Sequence, residues 1–240
     1  MTIRVAMWSG PRNISTAMMR SWENRADTSV VDEPFYAYYL TQTQAAHPMF
    51  EQIIASQSSN YAELAYQMRY GDCSSEIQYQ KHMTHHILAG VPFEWMQGIR
   101  HCFLIRDPAY VVASYTKRRG TCTADDIGIK RQYEIFEYIQ THICDDLAVI
   151  DAADVLRDPE QVLKKLCQRL HLPFSDKMLK WPAGPRESDG VWASHWYKSV
   201  ESSTGFSAEI SDFPTLTKEQ QAVVDSVTPY YLKMQERVIR

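Results

Sequence analysis

Gly10-Pro11-Arg12-Asn13-Ile14-Ser15-Thr16 joins a Gly-Pro turn, a permanent cation and two hydroxyls in one short segment. The run Ile3 to Trp8 before it is apolar, and Asn13 to Trp22 reads as a helix behind an Asn or Ser cap. Where a strand ends and a helix begins, free backbone N–H groups and the positive end of the helix dipole converge on one spot. Arg12 can donate two hydrogen bonds to a single oxyanion, and Ser15 and Thr16 add hydroxyl donors. This set suits a phosphate or sulfate; the plainer alternative is a capped helix with a surface arginine. A Walker A loop needs G-x-x-x-x-G-K followed by Ser or Thr, and the second Gly and the Lys are missing here. That weakens an ATP-dependent kinase reading, although Leu147 to Asp151 imitates the apolar strand whose terminal Asp holds magnesium in such enzymes.

A second junction has the same grammar. His101 to Arg106 is a strand, Asp107 a cap, Pro108 the first helical residue, and Ser114 lies about two helical turns beyond Arg106. A phosphate beside that helix can meet both, while R-D-P is also an ordinary way to open a helix.

Two residues qualify as a general base for an acceptor. Glu33 follows a strand end and precedes Pro34, at the sheet edge where ligands bind in open α/β folds. His85 lies in Lys81-His82-Met83-Thr84-His85-His86, where three histidines within five positions also raise a metal reading. No H-E-x-x-H pattern and no carboxylate at ligand spacing accompany them, so no metal is expected. Trp192 to Lys198 joins aromatics to a cation that can stack on a base and touch a phosphate when a loop closes, or can simply anchor that loop by packing.

These residues must be held by strands alternating with helices. Besides the two junctions, Leu147 to Asp151 is a strand, followed after a loop by a helix from Pro159 to Leu170. Thr28 to Val31 is a further short strand; Phe35 to Gln44, Met49 to Tyr70 and Ile127 to Ile143 are helical, and Leu216 to Val238 holds a closing helix interrupted at Pro229. The alternation predicts an α/β fold, a three-layer α/β/α arrangement around a mostly parallel sheet. One domain, residues 1–240, suffices for a chain of 240 residues with 45% apolar content. The Pro-, Gly-, Ser- and Trp-rich segment 181–214 reads as an ordered loop or lid covering donor or substrate.

With 25 Lys and Arg against 29 Asp and Glu, the net charge of -4 gives no general attraction to nucleic acid or an anionic membrane. Phosphate recognition must then be local. The 5 cysteines form no C-x-x-C pair, no apolar run is long enough to span a bilayer, and the N-terminus enters a strand directly. These features predict a soluble, unprocessed, cytoplasmic protein; they leave monomer and homodimer both open.

The two junctions together resemble the paired donor-binding motifs of P-loop-like sulfotransferases, which use 3'-phosphoadenosine 5'-phosphosulfate. The resemblance extends nearly the full length, through Asp154 to Glu160 and Ser203-Thr204-Gly205-Phe206, and is closest to small sulfotransferase-like proteins with Asp-Glu-Pro-Phe-Tyr and Lys-x-Met-x-His-His segments, here Asp32 to Tyr36 and Lys81 to His86. It implies a P-loop-containing nucleoside triphosphate hydrolase-like fold and no metal. The first turn, with Gly10, Arg12, Asn13, Ser15 and Thr16, corresponds to the 5'-phosphosulfate site; Arg106 and Ser114, eight positions apart, to the 3'-phosphate site; Thr204 and Gly205, with Lys198, to the covering loop. Asn13-Ile14 departs from the usual Ser-Gly. The implied reaction is in-line sulfuryl transfer to a hydroxyl or amine of a small or medium metabolite, with Arg12, Glu33 and His85 as catalytic candidates, Phe35 to Tyr39 near the acceptor, and adenosine 3',5'-bisphosphate as product. A nucleotide-dependent kinase and a non-catalytic nucleotide-binding module are the alternatives.

Overall fold

The computed structural model describes residues 2–207 and 212–240. Five strands, β1 (Ile3–Ser9), β2 (Thr28–Asp32), β3 (Ile77–Met83), β4 (Arg100–Ile105) and β5 (Ala148–Asp151), form one parallel sheet in the order β2-β3-β1-β4-β5. The helices between them are α1 (Ser15–Glu23), α2 (Tyr36–Thr43), α3 (Phe50–Ser56), α4 (Tyr61–Tyr70), α5 (Pro108–Arg119), α6 (Ala124–Ile127) and α7 (Ile129–His142). After the last strand come α8 (Ala152–Arg157), α9 (Pro159–Arg169), the short α10 (Ala193–Trp196) and α11 (Lys198–Glu201), and finally α12 (Lys218–Gln235).

Strand alternation divides the core into two layers. Val5 and Met7, Ile77 and Tyr79, Cys102 and Leu104, and Ala148 and Ile150 face one side, against Met18, Met19 and Trp22 of α1 and Leu163 and Leu166 of α9. Ala6 and Trp8, Phe103 and Ile105, and Val149 face the other, against Val112 of α5, Phe136 and Ile139 of α7, and Val227 and Met234 of α12. The expected α/β/α sandwich is the observed one. Burial on both faces explains why three of the strands, β1, β4 and β5, read as apolar runs.

β3 is the strand the sequence reading lacks. Its polar residues are buried because each finds a partner: Gln80 donates from Nε2 to the Met68 carbonyl at 2.7 Å and the Gln78 Oε1 at 2.8 Å, and His82 stacks on Trp8 with ring centroids 4.4 Å apart. Other expectations shift locally. The helix foreseen over 49–70 is two, because Asn60 accepts from the Ala62 and Glu63 N–H groups and starts a new one. The loop foreseen after β5 contains α8, capped by Asp151. Pro229 lies inside α12 without ending it, since Val224, Val227, Tyr231 and Met234 hold both halves on the sheet layer. Of segment 181–214, residues 181–207 carry α10 and α11, and residues 208–211 lie outside the described residues.

Candidate functional site

All five strands point their carboxyl ends the same way, and β1 sits between β3 and β4, so the crevice between the β1 and β4 ends is the topological switch point. Both sequence junctions open there. Between β1 and α1 the backbone turns through two left-handed residues, Arg12 at φ 62° and Ile14 at φ 44°. Left-handed backbone at a β-branched residue is strained, and strain of this kind persists where surrounding contacts impose it. Here Asn13 imposes it, donating from Nδ2 to the Leu104 carbonyl at 2.6 Å and drawing the turn onto β4. The helix therefore starts at Ser15 with no side-chain cap, which leaves its first N–H groups free for a ligand.

The two arginines are joined. Arg106 donates from Nη1 to the Arg12 carbonyl at 2.7 Å, and Arg12 donates from Nε to Ser114 Oγ at 2.9 Å. Neither has a carboxylate partner among the described residues. Burial, with Arg118 and Arg106 nearby, lowers the Arg12 guanidinium below its ordinary value; burial does the same to Arg106. Partly buried cations without counter-ions are suited to receive an anion.

Two cavities meet at this turn. One, of about 380 Å³, is lined by Glu33, Tyr36, Tyr39, His85, Arg118 and Arg119. The other, of about 390 Å³, is lined by Arg106, Leu156, Val200, Ser203, Gly205 and Phe206. Arg12, Ser15, Thr16, Trp196 and Tyr197 belong to both walls.

Glu33 occupies the first cavity's floor in a left-handed conformation, φ 43°, fixed by its N–H on the Lys81 carbonyl at 3.0 Å and by Gln57 Nε2 on its own carbonyl at 3.2 Å. Its side chain accepts from Lys81 Nζ at 2.7 Å, and Lys81 also bonds Asp32 Oδ1 at 2.9 Å. Burial raises the Glu33 carboxyl above its ordinary value, Lys81 opposing and Asp32 reinforcing the shift. Burial disfavours the Lys81 ammonium, but the two carboxylates outweigh it and its value is raised. His85 lines the same cavity, lowered to about 4 by burial, as is His47. Both rings are therefore neutral at pH 7. His86 is stacked between Tyr36 and Tyr39, at 4.3 and 5.0 Å, and His82 lies against Trp8. The histidine run is thus divided between packing and cavity, and among the described residues no three His, Cys, Asp or Glu side chains converge on a metal-sized point.

The 181–207 segment is bolted to this floor. Tyr197 donates to Asp32 Oδ2 at 2.7 Å and accepts from Trp192 Nε1 at 3.0 Å, while the Gly190 N–H reaches Asp32 Oδ2 at 3.1 Å. A Cβ on Gly190 would stand 2.1 Å from the Trp192 ring, so only glycine passes there. The buried Arg20 bonds Asp189 at 2.6 Å. Trp192, 1% exposed, is a packed anchor, whereas Trp196 lines both cavities.

Not every sequence candidate faces a cavity. Gly10 lines neither; a Cβ there would stand 2.4 Å from the Ile127 carbonyl oxygen, so the glycine serves the approach of α6. Ser114 orients Arg12, and Lys198 and Thr204 are exposed outside both linings, while Gly205 is in the second. Asp151 is taken up by the Ala153 N–H at 2.8 Å and the Tyr231 hydroxyl at 3.0 Å, so it serves as a cap and not as a magnesium ligand. Sequence reading missed Lys81 as the partner of Glu33 and Arg118 and Arg119 altogether, and it included Asp32 and Tyr197 in its segments without giving either a role at the site. Only an Asp-Glu pair before a Pro and paired arginines at a helix end signalled them. All 5 cysteines are free, and among the described residues no helix is long and apolar enough to cross a membrane.

Known proteins resemble this chain in sequence or in fold. Two Arabidopsis thaliana proteins, Branched-chain-amino-acid aminotransferase-like proteins 1 and 2, are 39% and 34% identical over 201 residues. That stretch is 84% of this chain and 36% of each relative, so the chain spans only part of their length. Among solved structures, the mouse sulfotransferase SULT7A1 complexed with PAP superposes with a TM-score of 0.58 at 11% identity, covering 98% of this chain and 88% of that one. The sulfotransferase domain from the curacin biosynthetic pathway gives 0.54 at 14% identity, covering 95% and 98%. At these identities the likeness is one of fold. The family model described as "Sulfotransferase domain" matches residues 3–238, from β1 to the bridge between Val149 and Val238 that closes the fold, and the chain belongs to that family of transferases.

Proposed function

We propose that the chain transfers a sulfuryl group from 3'-phosphoadenosine 5'-phosphosulfate to a hydroxyl or amine of a small or medium metabolite. The observation that carries this is the pair of cavities meeting at Arg12, Ser15 and Thr16: a donor and an acceptor can each fill one and touch at the start of α1. The donor side has the groups such a nucleotide needs, with Arg106 and free α1 N–H groups for anions and Phe206 and Trp196 for a base. The likeness to a sulfotransferase complexed with PAP supports the same reading.

On the acceptor side Glu33 stands as general base. The acceptor oxygen or nitrogen bonds to sulfur as the sulfur–oxygen bond to phosphate breaks, and the acceptor's proton passes to the Glu33 carboxylate. Lys81 opposes the upward shift that burial gives that carboxyl, and Arg12 faces the negative charge that grows on the leaving phosphate. His85 is the competing base, its neutral ring able to accept a proton but weakly basic. No step calls on a metal ion.

Calorimetry with adenosine 3',5'-bisphosphate tests the donor: folded protein that fails to bind it at high micromolar concentration sinks the assignment. Glu33→Gln and His85→Asn, measured separately across pH, decide the base; profiles unchanged in both reject both. Binding without transfer over a broad acceptor panel identifies a non-catalytic module.

A further inference from the structure

Lys81 is shared between Glu33 and Asp32, and the cavity's other carboxylate, Asp126, accepts from the Thr123 N–H and hydroxyl at 2.8 and 2.7 Å in a capping box. Arg118 and Arg119, at the end of α5, line the same cavity, and among the described residues neither is ion-paired. A third unpaired cation, Arg12, closes the inner wall. The histidines there are neutral at pH 7 and offset nothing. The lining cations Arg12, Lys81, Arg118 and Arg119 outnumber the carboxylates Glu33 and Asp126, and still do with the neighbouring Asp32 counted, so the acceptor cavity keeps an excess of positive charge.

The arginines are also placed for recognition. Arg119 lies over the Trp196 ring, 5.6 Å from its centroid, and beside the Tyr115 hydroxyl, so its plane is held while no carboxylate among the described residues pairs with it. Both arginines continue into the outer mouth, a second hollow that shares Tyr115 and Trp196 with the inner cavity. Cations near a helix C-terminus also complement its dipole, as does the exposed Lys117. Lys117, however, lines no part of the cavity, whereas its two neighbours do. Between mouth and floor the walls are Tyr36, Tyr39 and Tyr115.

We infer that the acceptor is an anion: a molecule with an apolar or aromatic body, a hydroxyl or amine reaching Glu33, and a carboxylate, phosphate or sulfate held by Arg118 and Arg119 at the mouth. This rests on the proposed transfer reaction, and assigns it a substrate class. A positively charged acceptor of the same shape is repelled, and a neutral one leaves both arginines unused.

The test is calorimetry with 4-hydroxyphenylacetate, 4-hydroxyphenylacetamide and tyramine, with and without saturating adenosine 3',5'-bisphosphate. The expected order is acid tighter than amide by at least about tenfold, with the amine weakest and the gap shrinking as salt rises. Arg118→Met and Arg119→Met should each erode the preference, and Arg118→Glu should shift it toward the amine. Equal affinities, an amine preference in the parent, or no binding of the acid at about 10 mM overturn the inference. Loss of bisphosphate affinity in the arginine variants, in step with loss of acid affinity, gives both residues to the donor and overturns it too. Failure of the parent to bind the bisphosphate, with the acid preference intact, counts against the donor assignment alone.

Discussion

Arg12 Nε donates to Ser114 Oγ at 2.9 Å, a single bond that ties the turn after β1 to the helix after β4. The resemblance gave Arg12 to one phosphate and Ser114 to another; in the structure the serine fixes the direction of the arginine. The two residues should therefore behave as a unit under mutation. Arg12→Ala should lower kcat by about a hundredfold or more, as removal of a charge-stabilising donor does elsewhere. Ser114→Ala should lower it less, roughly tenfold, and the double variant should lose little beyond Arg12→Ala alone. Additive losses in that cycle would show that the serine acts on its own ligand.

Lys81 is 1% exposed and holds two carboxylates. Lys81→Met leaves Asp32 and Glu33 buried without their cation, and breaking a buried pair from one side costs about 3–5 kcal/mol. Urea unfolding measures it. Combining Lys81→Met with Glu33→Gln should recover part of the loss, because the amide does not need a counter-charge. A loss under about 1 kcal/mol in the single variant would mean that water reaches the carboxylates.

Much of this arrangement was legible in the residues, for a physical reason that also explains the gaps. β1, β4 and β5 are apolar because both their faces are covered, β1 leads through a Gly-Pro turn into a helix and β4 into a capped, Pro-started one, so the parallel sheet and the Arg12 and Arg106 junctions could be read locally. β3 could not. Ile77-Gln78-Tyr79-Gln80-Lys81-His82-Met83 looks half-exposed, and it is buried only because Asp32, Met68 and Trp8 arrive from distant positions to satisfy it. The same holds for Glu33: its carboxylate was a candidate from sequence, but the Lys81 that bonds it is 48 positions away. Asn13-Ile14 was flagged as unusual, and the structure shows why it is tolerated, since Asn13 bonds β4 and Ile14 accepts a left-handed turn.

Buried imidazoles set the acid limit of stability. Burial lowers His47, His85 and His101 to about 4 and His82 to about 3, from an unfolded value near 6.5. A depressed folded value means the unfolded chain binds protons first, so this stabilisation is complete above pH 6.5 and is lost as pH falls toward 4. Each fully buried ring, such as His82 or His101, steepens the fall by about 1.4 kcal/mol per pH unit inside that window. Glu33, raised, acts in the opposite sense and adds stability that disappears as pH rises through its folded value. Denaturant midpoints at several pH values from neutral to acid should therefore drop steeply, and His101→Gln should flatten the curve. A flat profile in the parent would contradict the neutral, buried state of these rings.

Tyr197 walls both cavities and also anchors the 181–207 segment to the sheet, through Asp32 and Trp192. Tyr197→Phe removes the hydroxyl and leaves Asp32 short of a buried donor, at about 1–3 kcal/mol. A merely structural tyrosine would give no more than that. A tyrosine that fastens the cover should do two further things: raise hydrogen exchange selectively over residues 190–206, and raise the KM for donor and acceptor together, because the cover borders both sites. Tyr231→Phe supplies the control, since it removes a comparable buried hydroxyl from Asp151, 3.0 Å away in the original, at the other end of the sheet order. If the two variants lose similar stability and only Tyr197→Phe opens 190–206, the cover is held by its bond to Asp32. Equal exchange in both would reduce Tyr197 to an ordinary core residue.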